Sequence, residues 1–450
     1  MAAHGRFRYR TIEALQTAIH ELGVDIPLQE DLSPLSRPVQ IGHLVAPNSL
    51  AIHPMEGCDG QDDGSPSELT RRRYLRFAAG GAGLLWFEAT AVVPEGRANE
   101  RQLWIRPENV DSFASMLQEA HAVAEERPVT VLQLTHSGRY SKPGPPVIAY
   151  HHPYLPAGVS DGSMRVITDE EIEALEDRYV DAARLAFQAG FDAVDVKHCH
   201  RYLGSELLSA FTRPGRYGGS YENRTRFLKN IIRKIQAAVP GLVVTTRLNA
   251  YDAIPYPYGW GVSQENHLVP DLSEPKRLLR ELHEMGVPMV NVSLGNPYYN
   301  PHIGRPFDDP IIGAYLPDEH PLVGVSRALG IAAELQRAVP AMVIVGTGYS
   351  WLRQHLGQVG AASIAQGRVT IVGVGREGFA HPNFARELLG KGELDFRQVC
   401  ITCSKCTQIM RDNGTTGCVP HDKEIYQAIY DAGRAGKPKP EGRPVVRAHL

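Results

Sequence analysis

Two groups of residues in this 450-residue chain have the types and spacing for chemistry. Lys197, His200 and Tyr202 fall within six residues, and each side chain can hold, donate or release a proton. They follow an apolar, β-rich run at 193–197, and a strand end is where an α/β fold gathers its functional side chains. The competing readings are structural: a self-satisfied histidine, a packing tyrosine, a lysine that neutralises a buried acid such as Asp195. The second group is Cys400, Cys403, Cys406 and Cys418. Three closely spaced thiolates and a fourth some way on suit the corners of a [4Fe-4S] cubane, whereas structural zinc more often shows two separated Cys-x-x-Cys pairs. Zinc and unligated thiols are the alternatives. A disulfide framework would be unusual in a large cytosolic chain, and Cys58 and Cys199 stand alone.

The elements that must position these groups show in the hydrophobic pattern. Apolar runs at 50–53, 84–87, 129–134, 193–197, 243–248, 289–293, 342–345 and 370–374 alternate with helical patterns. Most are continuous rather than alternating, as strands covered on both faces should be. Eight βα units over this length fit an α/β (β/α)8 TIM barrel better than a doubly wound sheet. The clearest helix follows the third run. Thr168 and Glu171 form a capping box, Ile172, Leu175, Tyr179 and Ala183 share a face, and Gly190 stops it. Stretches near 138–162 and 249–271, rich in Gly, Pro and Tyr, read as long loops at the barrel mouth.

Three domains are expected: an N-terminal extension at 1–39, a barrel at 40–398, and a cysteine segment with its tail at 399–450. The extension carries a helix near 11–22 and a Pro-punctuated linker, placed to plug the bottom of the barrel. The Lys/Pro/Gly-rich stretch at 433–444 reads as an extended tail. Forty-seven basic and 50 acidic residues are dispersed without a block of one sign, which disfavours nucleic acid and anionic membranes as partners. No window of about 18 apolar residues occurs, and no apolar stretch follows the basic start MAAHGRFRYR. A soluble, cytoplasmic protein is expected.

The stretch 194–227 resembles the old yellow enzyme family of FMN oxidoreductases. His200-Arg201-Tyr202-Leu203 stands where that family has a histidine pair or His-x-x-Asn followed by Gly-Tyr-Leu, and Tyr217-Gly218-Gly219-Ser220-Tyr221-Glu222-Asn223-Arg224 matches its second motif. His53-Pro54-Met55-Glu56 is similar to the turn whose backbone runs beside the flavin, and the segment ending Glu88-Ala89 to its second strand. Gln133-Leu134-Thr135-His136-Ser137-Gly138-Arg139 resembles the motif whose glutamine bonds the flavin pyrimidine. Thr246-Arg247-Leu248 resembles the strand whose arginine faces N1 and O2. Gly346-Thr347-Gly348 and Gly373-Val374-Gly375-Arg376 look like the two phosphate-holding turns.

The resemblance implies FMN held by Pro54, Met55, Glu56, Ala89, Gln133, Arg247, Gly346, Thr347, Gly348, Gly375 and Arg376. The residue types agree with those roles. A fixed cation meets the charge that develops at N1 and O2, one amide offers both donor and acceptor, and glycines let backbone N–H groups approach a phosphate. Tyr202 would then deliver a proton while hydride reaches the other carbon of an activated alkene, with Lys197 and His200 on the activating oxygen. Lys197 replaces a histidine of the family pattern, and Glu56 replaces a small residue.

The cysteine spacing resembles the subgroup with 2,4-dienoyl-CoA reductase and trimethylamine dehydrogenase, whose cluster follows the barrel. Those relatives continue into nucleotide-binding domains, so here such a module is expected on a separate protein or not at all. The expected partners are a small-molecule substrate, NAD(P)H or an electron carrier such as ferredoxin, flavodoxin or a reductase, and a second copy of the chain. Two alternatives to alkene reduction stand. One is oxidative dehydrogenation or demethylation, with Trp260, Tyr298 and Tyr299 boxing an amine. The other is a non-catalytic electron-transfer flavoprotein.

Overall fold

The eight apolar runs each pair with their neighbours in sequence and close on themselves as a parallel barrel. The computed structural model describes residues 3–155 and 164–436. The barrel strands are β1 (Leu50–Ile52), β2 (Leu84–Ala91), β3 (Val129–Thr135), β4 (Ala193–Val196), β5 (Val243–Tyr251), β6 (Met289–Leu294), β7 (Val343–Gly346) and β8 (Ile371–Val374). Helix α1 (Ile12–Leu22) precedes them. Helices α2 (Glu68–Ala79), α3 (Val110–Val123), α4 (Asp169–Gln188), α5 (Arg226–Ala238), α6 (Ser273–Glu284), α7 (Pro321–Ala338), α8 (Leu356–Ala365) and α9 (Phe384–Lys391) follow the strands in turn.

Strand β2 runs past its apolar stretch because its polar end is fully satisfied. Glu88 is buried, paired with Arg73, and accepts from the Gly57 N–H at 2.8 Å. The interruption leaves a register shift between Phe87 and Thr90. Helix α4 forms as its capping box predicts: Glu171 N–H donates to Thr168 Oγ1 at 3.2 Å and Thr168 N–H to Glu171 Oε2 at 2.9 Å. Such a cap stabilises a helix by about 1 kcal/mol. Gly190, at φ 95°, takes the left-handed turn that ends the segment.

The barrel bottom is closed by a different element from the one expected. An antiparallel ribbon, Val39–Ile41 with Leu44–Ala46, places Val39, Ile41 and Ala46 in one apolar cluster with Ala51, Leu84, Val131 and Val345. Helix α1 instead adds Leu15 and Ala18 to the larger cluster formed by the covering helices. A ribbon fits the narrow interior of eight strands, whereas a helix does not. Beyond the barrel, α10 (Lys405–Arg411) and α11 (Lys423–Arg434) pack around Ile409, Val419 and Tyr426. Helix α11 continues through the first residues assigned to the tail; 437–450 lie outside the described residues, as do 156–163 of the long loop near 138–162. No described helix is long and apolar enough to cross a membrane.

Candidate active site

Strand β4 delivers the first group of side chains through an unusual turn. His200 and Arg201 both take positive φ, 63° and 60°, a region costly for residues with a Cβ. The Arg201 side chain holds the turn in place. Fully buried, it donates to Asp252 at 3.0 Å and to Tyr150 at 2.8 Å. Lys197, His200 and Tyr202 consequently line one cavity at the C-terminal mouth of the barrel, with an empty volume of about 1250 Å³ including its open side.

The same cavity gathers residues from most of the other strand ends: Pro54, Met55, Glu56, Gln133, Arg247, Thr347, Gly348, Gly375 and Arg376. Two expected cofactor residues do not line it. Ala89 is buried within β2, where its carbonyl accepts from Gln102, and Gly346 ends β7 one residue short of the lining. His53, Ser293, Tyr298 and Arg305 line the cavity although the motifs did not single out a role for them at a flavin. Arg305 sits in a loop without a family-like motif, and a basic residue shortly after the sixth strand was the only signal. Of the three aromatics considered for an amine cage, Tyr298 alone reaches the cavity. Its ring stacks on Tyr140 at 3.8 Å and carries the Arg411 guanidinium at 4.1 Å, while Trp260 is buried elsewhere with its backbone N–H bonded to Asp252.

Asp195 organises the floor. Its carboxylate accepts from Trp86 Nε1 at 2.8 Å, Gln133 Nε2 at 2.6 Å and the Arg247 backbone N–H at 2.6 Å. Burial nonetheless pushes its pKa up to about 6. Lys197 is therefore not the neutralising partner of Asp195. One N–H of Gln133 is committed to Asp195, which fixes the amide and leaves its other groups for a ligand.

Lys197 pairs instead with Glu56. The Lys197 Nζ lies 3.1 Å from Glu56 Oε1, and Tyr202 Oη donates to the same oxygen at 2.9 Å. Burial first, and then the Glu56 charge, raise the Tyr202 pKa well above that of an ordinary phenol, so the hydroxyl keeps its proton. His200 is driven the other way by burial and by Arg247, Lys197 and Arg305, and is a neutral imidazole 3.3 Å from Ser293 Oγ.

Three arginines of the cavity wall each carry a buried nitrogen atom without a protein partner: Nε of Arg247, Nε of Arg305 and Nη1 of Arg376. Buried donors left this way cost about 1–3 kcal/mol each unless a ligand accepts from them. An FMN, with a pyrimidine edge at one end and a phosphate at the other, has acceptors of the right kind for such an arrangement. The residues present fit the cofactor.

Residues 34–258 match the family model described as the NADH:flavin oxidoreductase / NADH oxidase family. The chain belongs to this family. It is 29% identical over 414 residues to an NADH oxidase of Thermoanaerobacter brockii, an alignment covering 87% of this chain and 57% of that protein. It is also 31% identical over 266 residues to an NADPH dehydrogenase of Geobacillus sp. (strain WCH70), covering 58% and 73%. The fold superposes on an old yellow enzyme homologue from Zymomonas mobilis with a TM-score of 0.61 at 22% identity, over 80% of this chain and 94% of that one. The chain thus spans little more than half the length of the Thermoanaerobacter relative.

Beside this cavity lies the cysteine segment, docked on the barrel mouth. The Thr416 N–H donates to the Gly57 carbonyl at 2.6 Å, and Asp422 accepts from Arg72 at 2.7 Å and from Arg76 at 2.6 Å. Cys400, Cys403, Cys406 and Cys418 are free thiols that line a single small cavity of about 310 Å³. Cys406 also lines the larger cavity, so the two spaces share a wall. Among the described residues no group of three or more His, Cys, Asp or Glu side chains is placed to hold a metal ion. Four thiols lining one space are a donor set of the kind that can hold an iron-sulfur cluster or zinc.

Proposed function

We propose that this chain is an FMN-dependent reductase that adds hydrogen across an activated C=C bond and relays electrons through a [4Fe-4S] cluster at Cys400, Cys403, Cys406 and Cys418. The observation that carries this reading is Tyr202: a buried phenol, held protonated, lining the same cavity as Arg247 and Gln133. FMN bound there would supply hydride chemistry, and the cluster one-electron transfer.

The chain's own residues supply the rest. Arg247 places a fixed cation where negative charge develops, at no reorganisation cost. Gln133, locked by Asp195, presents an oriented amide edge. His200, neutral, and Lys197 offer N–H groups to an activating carbonyl oxygen, and Tyr202 holds the proton for the adjacent carbon. The names of the two relatives support a reduced nicotinamide as electron source.

Protein purified without oxygen should show flavin bands over a broad brown absorbance, with iron and sulfide by analysis. NADH-reduced protein should be reoxidised by 2-cyclohexenone, and the oxidised protein should ignore trimethylamine. A colourless protein that takes up neither flavin nor iron would overturn the reading; bleaching by the amine would replace it with the oxidative one.

A further inference from the structure

We propose that Glu56 is the group through which Tyr202 exchanges its proton with solvent. The inference rests on the reading of Tyr202 as proton donor and adds the path by which that donor is recharged. A buried phenol that gives up a proton at each turnover has to recover one. Tyr202 is 3% exposed, so water does not reach it freely. Its hydroxyl is directed at Glu56 Oε1, 2.9 Å away.

Glu56 has access that Tyr202 lacks. Its side chain is 15% exposed, and it lines both the inner cavity and a second, outer one of about 1710 Å³ including open solvent, bounded by Tyr140, Lys142, Arg411 and Asn413. It stands in the wall between the substrate space and water, bonded to the donor on one side.

Lys197 completes the arrangement. Its ammonium lies 3.1 Å from the same Glu56 oxygen and 3.7 Å from the centroid of the Tyr202 ring. A cation against a phenol ring favours the phenolate that remains when the proton leaves. The other charged or titratable groups facing Glu56 are Tyr298, the Cys58 and Cys199 thiols and Glu88, and Glu88 is tied to Arg73 and the Gly57 N–H.

The step balances. The Tyr202 O–H bond breaks as a C–H bond forms on the substrate carbon. The Glu56 carboxylate then takes a proton from solvent in the outer cavity and passes it to the phenolate, returning to its ionised form. The accompanying hydride and its two electrons are those of the flavin chemistry proposed above, so the net addition is one hydride and one solvent proton.

Two measurements test this. In the holoenzyme, the downfield proton resonance of the Tyr202 hydroxyl is identified by its loss in Tyr202→Phe, and its exchange with water is read by saturation transfer. Glu56→Gln, which keeps size and shape, should slow that exchange about tenfold or more. A resonance that becomes visible only in the variant is the same result. Exchange unchanged within about twofold overturns the proposal. In rapid mixing of NADH-reduced holoenzyme with 2-cyclohexenone, Glu56→Ala should slow reoxidation about tenfold or more, with recovery by added acetate in proportion to its acid form. Slowing without rescue overturns it as well. Wild-type protein that ignores the enone removes the reductase reading instead, and the hydroxyl exchange still decides the role of Glu56.

Discussion

Lys197 and Glu56, the two residues that depart from the family pattern the sequence otherwise follows, form an ion pair 3.1 Å apart inside the cavity. Lys197 is 2% exposed, so each charge is held largely by the other. Removing one partner of such a pair strands its mate in a low-dielectric site, at a cost on the order of 3 kcal/mol, whereas removing both leaves nothing stranded. Lys197→Met and Glu56→Gln should each lower stability, and the double variant should lose less than the sum by about 2 kcal/mol. Urea unfolding of the four proteins measures the coupling, and strict additivity would show the two side chains to be energetically independent.

The cationic ends of the cavity should separate two parts of one ligand. Arg376 comes from the turn after β8 and keeps an unpartnered, buried Nη1, while Arg247 projects from β5 beside Gln133 and Asp195. Hydrogen bonds to charged groups contribute about 1.5–3 kcal/mol, equivalent to roughly 10- to 150-fold in affinity. Arg376→Met should weaken FMN by that amount and leave riboflavin, which lacks the phosphate, unchanged. Arg247→Met should weaken both. Fluorescence titration of apoprotein reads the four affinities, and equal losses for both ligands in the Arg376 variant would place the phosphate elsewhere.

The barrel and the positions of Lys197, His200 and Tyr202 were legible because continuous apolar runs and strand ends leave local signals. What pairs with what was not. Lys197 could neutralise Asp195 on sequence grounds, since both sit on the same strand, yet Asp195 is taken by Trp86, Gln133 and a backbone N–H from three other places in the chain. The Glu56–Lys197 contact spans 141 residues, and only closure of the barrel brings it about. Arg305 carries no motif for a related reason. Its place is set by a loop packed against the cysteine segment, where it donates to Thr407, and no periodicity records that contact. Helix α1 was legible as a helix, but the ribbon that plugs the barrel was too short to stand out.

Two glycines of the turn after β8 should behave differently, although the motif groups them together. A Cβ on Gly373 would lie 2.3 Å from the His53 ring and 2.7 Å from the Gly346 carbonyl, so neither side chain nor backbone can make room. On Gly375 the nearest atom would be Met55 Sδ at 3.4 Å, ordinary contact with a flexible side chain. Gly373→Ala should therefore destabilise the barrel itself, by about 2 kcal/mol or more. Gly375→Ala should fold with near wild-type stability but bind FMN less well, because its methyl group occupies the space a phosphate approaches. Thermal unfolding of the apoproteins with FMN titration separates the cases; a Gly375→Ala protein with unaltered FMN affinity would remove that backbone from the phosphate site.

Acid should destabilise the protein through histidines that the barrel buries in neutral form. Burial pushes His136 and His198 down to about 4, against about 6.5 in an unfolded chain. Between those values the unfolded chain takes up protons that the folded one refuses. The stability each contributes is thus complete above about pH 6.5 and is lost as the pH falls toward 4, at a limiting slope of about 1.4 kcal/mol per pH unit for each histidine. Asp195 acts in the opposite sense. Raised to about 6, it binds a proton in the folded state first, so its contribution grows as the pH falls through 6 toward 4 and offsets one histidine over that range. His198→Gln removes one of the two histidine titrations, and its unfolding free energy in urea should fall less steeply than that of the wild type between about pH 6.5 and 4.5. Parallel curves for the two proteins would mean that His198 already carries its proton in the folded state, and that the buried ring is not neutral.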